Sequence, residues 1–306
     1  MVDIDATETL SDAEQAEVRA MHDAAAAADG YASLGDAVRV GIEPGNHEVA
    51  VRNFVARGDD GRVVGYGALA PADNAERPHS AAGIVVHPEH RKDGVQRDLL
   101  QTVTLDVARR GGGPVVWWRV GADERSDADA AAAGYSPTRD LLQMVVPLPL
   151  SEPARWPEGV DVRAFVPGRD DAEWLRVNNR AFEGHPEQGG WVQSTLDRRM
   201  HEPWFDPKGF LLAFDRDGLA GFCWTKIHED DGLGEIYVIG VDPSRAGRHL
   251  GRPLVVAGLQ SIAERGVPTG MLFVDAANER AVRLYESLGF TTRRTDRAYQ
   301  NELGAP

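Results

Sequence analysis

A chain of 306 residues with 33 Lys and Arg against 48 Asp and Glu carries a net charge of −15. That sign disfavours a nucleic-acid or anionic-membrane surface, which needs clustered basic side chains, and suits a neutral or cationic small molecule. The single cysteine, Cys223, excludes an internal disulfide and a cysteine-based zinc cluster. No apolar run approaches the roughly 20 residues of a membrane span, and MVDIDATETL lacks the basic start and apolar core of a secretory signal. The expectation is a cytoplasmic monomer of two domains of roughly 150 residues each. The histidines His185, His201, His228 and His249 have no metal-ligand spacing, so no metal is expected.

In chain order, Ser11 followed by Asp12 and Glu14 predicts a capped helix running to Asp29, and a second short helix is expected over Asp36 to Gly41. Val49 to Pro71 alternates around Asp60-Gly61 and reads as a hairpin. AAGIVVHPEH then predicts a strand, RKDGVQ a turn, and the residues to about Arg110 a helix. PVVWWRV reads as a strand, Asp123 to Ala133 as a helix, and closing strands reach Pro147. Alternation of this kind implies an α/β sheet. Pro149, Pro153 and Pro157 then forbid a continuous helix or central strand, which puts a linker at residues 149–159 between domains 1–148 and 160–306. The second half repeats the order: a strand near Val160 to Phe165, helices Asp170 to Phe182 and Val192 to His201, and a hairpin Phe210 to His228.

The stretch GEIYVIGVDPSRAGRHLG, Gly234 to Gly251, organises this half. An apolar strand stops at Asp242-Pro243, crosses a basic turn, and enters a helix at about Leu250 to Pro253. The first amides of a helix lack internal partners and carry the positive end of its dipole, so such a stretch suits a pyrophosphate. Glu235, an acidic residue on an otherwise apolar strand, fits two readings equally on spacing: a base beside that anion, or a strand-edge glutamate paired with arginine. A shift of 155 residues lays Pro88 on Pro243, Gly111 on Gly266, Gly134 on Gly289 and Tyr135 on Phe290, so one fold occurs twice. The same shift sets Ser80 opposite Glu235, Asp123 opposite Asn278 and Ala130 opposite Tyr285, which confines chemistry by Glu235 and Tyr285 to the second copy.

Strand, anion-binding turn, helix and strand, followed by Asn278, Ala281, Tyr285, Gly289 and Phe290 at their spacing, resemble the GCN5-related N-acetyltransferase (GNAT) superfamily in tandem. The resemblance implies an α/β fold of two GNAT domains, each a mixed, mostly antiparallel, sheet flanked by helices. NNRAFEGHPEQGGW, WFDPKGFLLAF, FCWTKIH, GLGEIYVIGVDP and RLYESLGFTT resemble the mycothiol synthase family within it, over almost all of the second half. In the first half the likeness rests on element order, DGYASLGDAV and IVVHPEHR.

That resemblance implies transfer of acetyl from acetyl-CoA to the cysteinyl amine of a cysteine–glucosamine–inositol pseudodisaccharide, giving mycothiol, a thiol of actinobacteria. It makes Glu235 the general base and Tyr285 the general acid. It assigns to acetyl-CoA the backbone of Ile239, Gly240 and Val241, the loop Ala246, Gly247, Arg248, His249, Leu250, Gly251 and Arg252, and the helix start Asn278, Glu279, Arg280, Ala281, Val282 and Arg283. Asp36, Glu187, Lys226 and Glu235 fall at substrate positions, and Phe273 where the family has a tyrosine. A second, silent acetyl-CoA site would use Ile84, Val85, Val86, Lys92, Asp93, Gly94, Val95, Gln96 and Arg97. The superfamily loop carries two glycine or alanine positions, whereas His249 and Gln96 each replace one here. Acetylation of another small amine, such as an aminoglycoside, or acetyl-CoA sensing without turnover are the alternatives.

Taken as side chains, several candidates have a plainer reading beside the chemical one. Asn278 suits a helix N-cap. Tyr285 shares a helical face with Ala281, Leu284 and Leu288 and suits core packing. Glu187 and Lys226 suit a solvated surface, and Asp36 another N-cap.

Overall fold

The computed structural model describes residues 2–32, 34, 51–70, 72, 79–184, 188–229 and 231–301. Its first elements are β1 (Asp3–Thr7), α1 (Asp12–Asp29), β2 (Arg52–Arg57), β3 (Val63–Ala70) and β4 (Ser80–Val86). Then come α2 (Val95–Arg109), β5 (Val115–Arg119), α3 (Glu124–Ala132), β6 (Tyr135–Pro147), β7 (Asp161–Ala164), α4 (Asp171–Ala181) and α5 (Gln193–Met200). The chain continues through β8 (Phe210–Asp215), β9 (Gly218–His228), β10 (Leu233–Val241), α6 (Gly251–Glu264), β11 (Thr269–Asp275), α7 (Glu279–Glu286) and β12 (Thr291–Asn301). The helix expected over Asp36 to Gly41 lies outside the described residues. Among the described residues no helix is long and apolar enough to cross a membrane.

The chain forms two compact units that are not contiguous in sequence. One comprises Met1–Leu142, Asp275–Ala277 and Arg294–Pro306, and the other Gln143–Val274 and Asn278–Arg293. In the first, β1, β2, β3 and β4 pair antiparallel in succession. β4 meets β5 in parallel, but only over Ser80–Ala82 against Val115–Trp117. The last strand supplies Arg297–Asn301, antiparallel to β5, and Tyr299 stacks on Trp117 at 4.9 Å. Strand alternation sends Phe54, Ala56, Ile84 and Val86 to one face, where Val95, Leu99, Val103 and Val107 of α2 cover them. It sends Val55, Tyr66 and Val85 to the other, under Val18, Met21 and Ala25 of α1. The start of α1 is fixed by a capping box, in which Ser11 accepts from the Glu14 amide and the Glu14 carboxylate accepts from the Ser11 amide at 2.9 Å.

In the second unit, β7, β8, β9 and β10 pair antiparallel in order, and β10 joins β11 in parallel over Leu233–Glu235 against Thr269–Met271. One face is an aromatic core: Trp174 of α4 meets Trp191, Phe210, Phe222 and Trp224 edge-on at 5.4–5.8 Å. On the opposite face Leu254, Leu259 and Ile262 of α6 are buried, and the helix lies close enough that glycines stand at some of its contacts. A Cβ on Gly234 would stand 2.1 Å from Ile262 Cγ2, and one on Gly258 2.4 Å from Cys223 Sγ. Gly234→Ala is therefore expected to destabilise the fold by about 1–3 kcal/mol through overpacking. Thermal melts of that variant and of Gly234→Ala/Ile262→Ala check it, the double variant losing less than the sum of its parts.

Candidate active site

The site begins where β10 leaves β11. Beyond Glu235 the two strands no longer pair, and a β-bulge between Ile236 and Val238 changes the face that β10 presents. Backbone groups of Ile239, Gly240 and Val241 on the β11 side are thereby left without a strand partner. The strand ends at Asp242, whose carboxylate accepts from the Ser244 amide at 2.9 Å and hydroxyl at 2.7 Å and faces Arg180 at 3.2 Å. Burial pushes the Asp242 carboxyl up, but Ser244 and Arg180 outweigh it and hold it below the usual range.

After a short 3-10 turn, Gly247 (φ 83°) and His249 (φ 59°) both take the left-handed conformation. His249 thus adopts the backbone a glycine would supply, so the loop keeps its path despite the substitution. No side chain caps the start of α6, and Pro253 in its first turn has no N–H to satisfy. The helix amides of Gly251 and Arg252 are accordingly free of an internal acceptor. A cleft of about 650 Å³ opens here. Its walls are Ile239, Gly240, Val241, Ala246, Gly247, His249, Leu250, Gly251 and Arg252 on one side and Asn278, Arg280, Ala281, Leu284 and Tyr285 on the other. That size is within the usual range for ligand sites, and a strongly acidic chain has turned Arg155, Arg245, Arg252 and Arg280 into it. The uncapped helix start, the left-handed loop and these cations fit a diphosphate-bearing acyl carrier.

Arg248, Glu279, Val282 and Arg283 do not line the cleft. Arg248 pairs with Asp215, and Arg283 with Glu279 at 2.9 Å on the exposed face of α7. Arg245 also bonds Asp215, at 3.3 Å, holding that carboxyl below its ordinary range, and Arg252 pairs with Glu152. Asn278 is both things its sequence position suggests: its side chain accepts from the Ala281 amide at 3.2 Å, capping α7, and it lines the cleft. Arg155, in the proline-rich segment, is a cleft residue that sequence spacing gave no reason to single out.

Glu235 is 8% exposed and sits on β10 just before the cleft wall, not within it. Its Oε2 lies 2.8 Å from Nε2 of His228, so its partner is an imidazole and not the arginine of the plainer reading. Lys226 stands opposite Glu235 in the β9–β10 register, with Nζ 4.9 Å from the Trp204 ring. Met271 pairs with Glu235 in parallel, so Phe273, two residues on and 36% exposed, shares that sheet face with Glu235, Lys226 and His228. Asp36 and Glu187 lie outside the described residues. Tyr285 is 7% exposed, packs 5.7 Å from the Phe290 ring, and has a phenol that burial pushes up to about 12. It combines core packing with a place on the cleft wall.

The first unit repeats the splay of its central strands, leaving Ile84, Val85 and Val86 beyond the last β4–β5 pair. Lys92, Asp93, Gly94 and Arg97 line a separate cavity of about 450 Å³ with Arg91, Arg125 and Asp129. Val95 is buried in the core, and Gln96 donates to Asp129 at 3.0 Å. Arg91 is held by a two-pronged pair with Asp29 at 2.7 and 2.8 Å. Gly94 takes the left-handed conformation (φ 76°), which strains any side chain, and a Cβ there would displace the Arg97 guanidinium, 2.7 Å away at Nη2. Replacing Gly94 by tryptophan should distort this loop yet leave steady-state turnover within about twofold, because Ser80 and Ala130 stand where the second unit has Glu235 and Tyr285. A collapse of kcat in a folded variant would contradict this.

A duplicated fold in which a central strand parts from its parallel neighbour beside an uncapped helix start defines a class of acyl-group transferase. The chain belongs to the acetyltransferase (GNAT) family, whose model matches residues 19–135 and 173–290. It is 44% identical over 299 residues to a mycothiol acetyltransferase of Streptomyces griseus, spanning 96% of this chain and 94% of the relative. Among solved structures, a GCN5-related N-acetyltransferase from Sphaerobacter thermophilus matches with a TM-score of 0.73 at 23% identity, covering 97% of this chain and 95% of its own. A tandem GNAT protein from the clavulanic acid biosynthesis pathway matches with a TM-score of 0.69 at 18% identity over 100% of both chains. These two likenesses establish the fold.

Proposed function

We propose that this enzyme transfers acetyl from acetyl-CoA to the cysteinyl amine of cysteinyl-glucosaminyl-inositol, the step that completes mycothiol. Its membership of the GNAT family and its likeness to mycothiol acetyltransferases make it an acetyl-CoA-dependent N-acetyltransferase of mycothiol biosynthesis. The observation that carries the mechanism is the placement of one buried carboxylate, Glu235, at the last residue of β10 paired with β11, immediately before the two strands part beside the cleft.

An ammonium cannot attack a thioester until it loses a proton. Glu235 takes that proton, a contribution of about 10²–10⁴ in rate for a well-placed base. Acetyl-CoA supplies the acyl group as a thioester. The uncapped start of α6 with Arg252 and Arg280 holds its diphosphate, and the backbone along Ile239–Val241 holds its extended arm. The N–H near Ile239 donates to the thioester oxygen as negative charge builds there. Tyr285, still a protonated phenol at neutral pH, donates to the departing sulfur.

Lys226, Phe273 and Glu235 form the described part of the acceptor surface. The division of labour places catalysis in residues 160–306 and a non-catalytic acetyl-CoA site in residues 1–148. The protein acts as a cytoplasmic monomer without nucleic-acid, membrane or metal partners. The test is an assay of acetyl-CoA with the pseudodisaccharide by mass spectrometry and thiol titration. One acetyl should be gained with the cysteinyl thiol still free, which marks an amide. Binding without acetyl gain would favour a sensor, and faster turnover of an aminoglycoside would favour another acceptor.

A further inference from the structure

The Glu235 carboxylate does not stand alone. The side chain is 11% exposed and that of His228 24%, and the two meet diagonally across β9 and β10, since His228 is paired with Leu233 and Lys226 with Glu235. Nε2 of His228 lies 2.8 Å from Oε2 of Glu235. Lys226, although directly opposite, extends its ammonium over the Trp204 ring. Among the described residues the carboxylate's hydrogen-bond partner is thus the imidazole. A long, rotatable glutamate in a half-open strand would otherwise sample several rotamers, and a base acts only in the one that reaches its proton.

We propose that His228 is a positioning residue for the base: its Nε2–H donates to Oε2, fixes the side-chain torsions of Glu235, and leaves Oε1 to face the acceptor's ammonium. An imidazole donates through a ring N–H, so it can orient the carboxylate without the fixed charge that an arginine would bring. This inference rests on the reading of Glu235 as base.

The experiment is a cycle of His228→Leu, His228→Gln, Glu235→Gln and the double variant His228→Leu/Glu235→Gln, with steady-state kcat and KM for both substrates. His228→Leu should lower kcat about tenfold with the acetyl-CoA KM within twofold. His228→Gln, whose Nε2 amide can donate to the same oxygen, should recover most of that loss. In the Glu235→Gln background the leucine should cost nothing further, because there is no base left to orient. Losses that multiply across the cycle, or a glutamine variant as slow as the leucine one while melting like wild type, would overturn the positioning role. Wild-type turnover in Glu235→Gln would instead remove the base itself, so the two failures are separable.

Discussion

Glu235→Gln should lower kcat about a hundredfold while leaving the acetyl-CoA KM within about twofold. The amide matches the carboxylate in size and its oxygen can still accept from His228 Nε2, so the local structure persists. Glu235 is not part of the cleft wall, so the donor site has no reason to change. What the amide cannot do is take a proton. The acceptor's α-amino group has an ordinary pKa of about 8, so bulk water begins to deliver free amine as pH rises. The gap between wild type and variant should therefore narrow between pH 6 and pH 9. Rate profiles over that range check this directly, and a variant as fast as wild type at pH 6.5 would remove Glu235 as base.

Much of the site is legible in sequence because its physics is local. An apolar run stopped by Asp242-Pro243, a turn with glycine, and a helix begun near Pro253 prescribe a strand, an anion-binding loop and a helix start without knowledge of the rest of the chain. The Asn278 cap belongs to the same class. Two strands escape for the opposite reason. β1 and β12 are polar, with exposed and half-exposed residues along much of their length, so neither shows the alternation that marks a strand. Their identity comes from a partner, Asn53 to Arg57 for β1 and Val115 to Arg119 for β12, and partnership is not a local property.

The same distinction runs through the side chains. That Arg245 and Arg248 both close on Asp215, and Arg252 on Glu152, depends on residues brought from distant segments. So does the turning of Arg155 into the cleft. The pairing of Glu235 with His228 depends on the strand register and a two-residue offset across it, which periodicity alone leaves open. The bulge after Ile236 is likewise silent in sequence, yet it decides which face Ile239 presents.

Tyr285→Phe should lower kcat by roughly ten- to a hundredfold with little change in either KM. Its size follows from what a buried phenol can give. Burial, reinforced by Cys223 nearby, pushes its pKa up to about 12, whereas a thiol titrates near 8.5. Complete proton transfer from phenol to a departing thiolate would thus be uphill by more than three pKa units. The catalytic contribution is therefore a hydrogen bond to sulfur as charge develops, and a bond to a charged group is worth about 1.5–3 kcal/mol. Phenylalanine keeps the packing on Phe290 and deletes only that donor.

The same shift fixes two pH signatures. Because the neutral phenol is favoured in the folded protein, it remains a donor throughout pH 6–10, and Tyr285 should impose no falling limb on kcat there; a limb near pH 10 that disappears in the variant would refute the shift. The stabilisation from the raised pKa is fully present below about pH 10, where an unfolded tyrosine titrates, and is lost as pH rises towards about 12. Wild type should consequently lose melting temperature faster than Tyr285→Phe between those values, and parallel melting curves would show that the phenol is not held neutral by the fold.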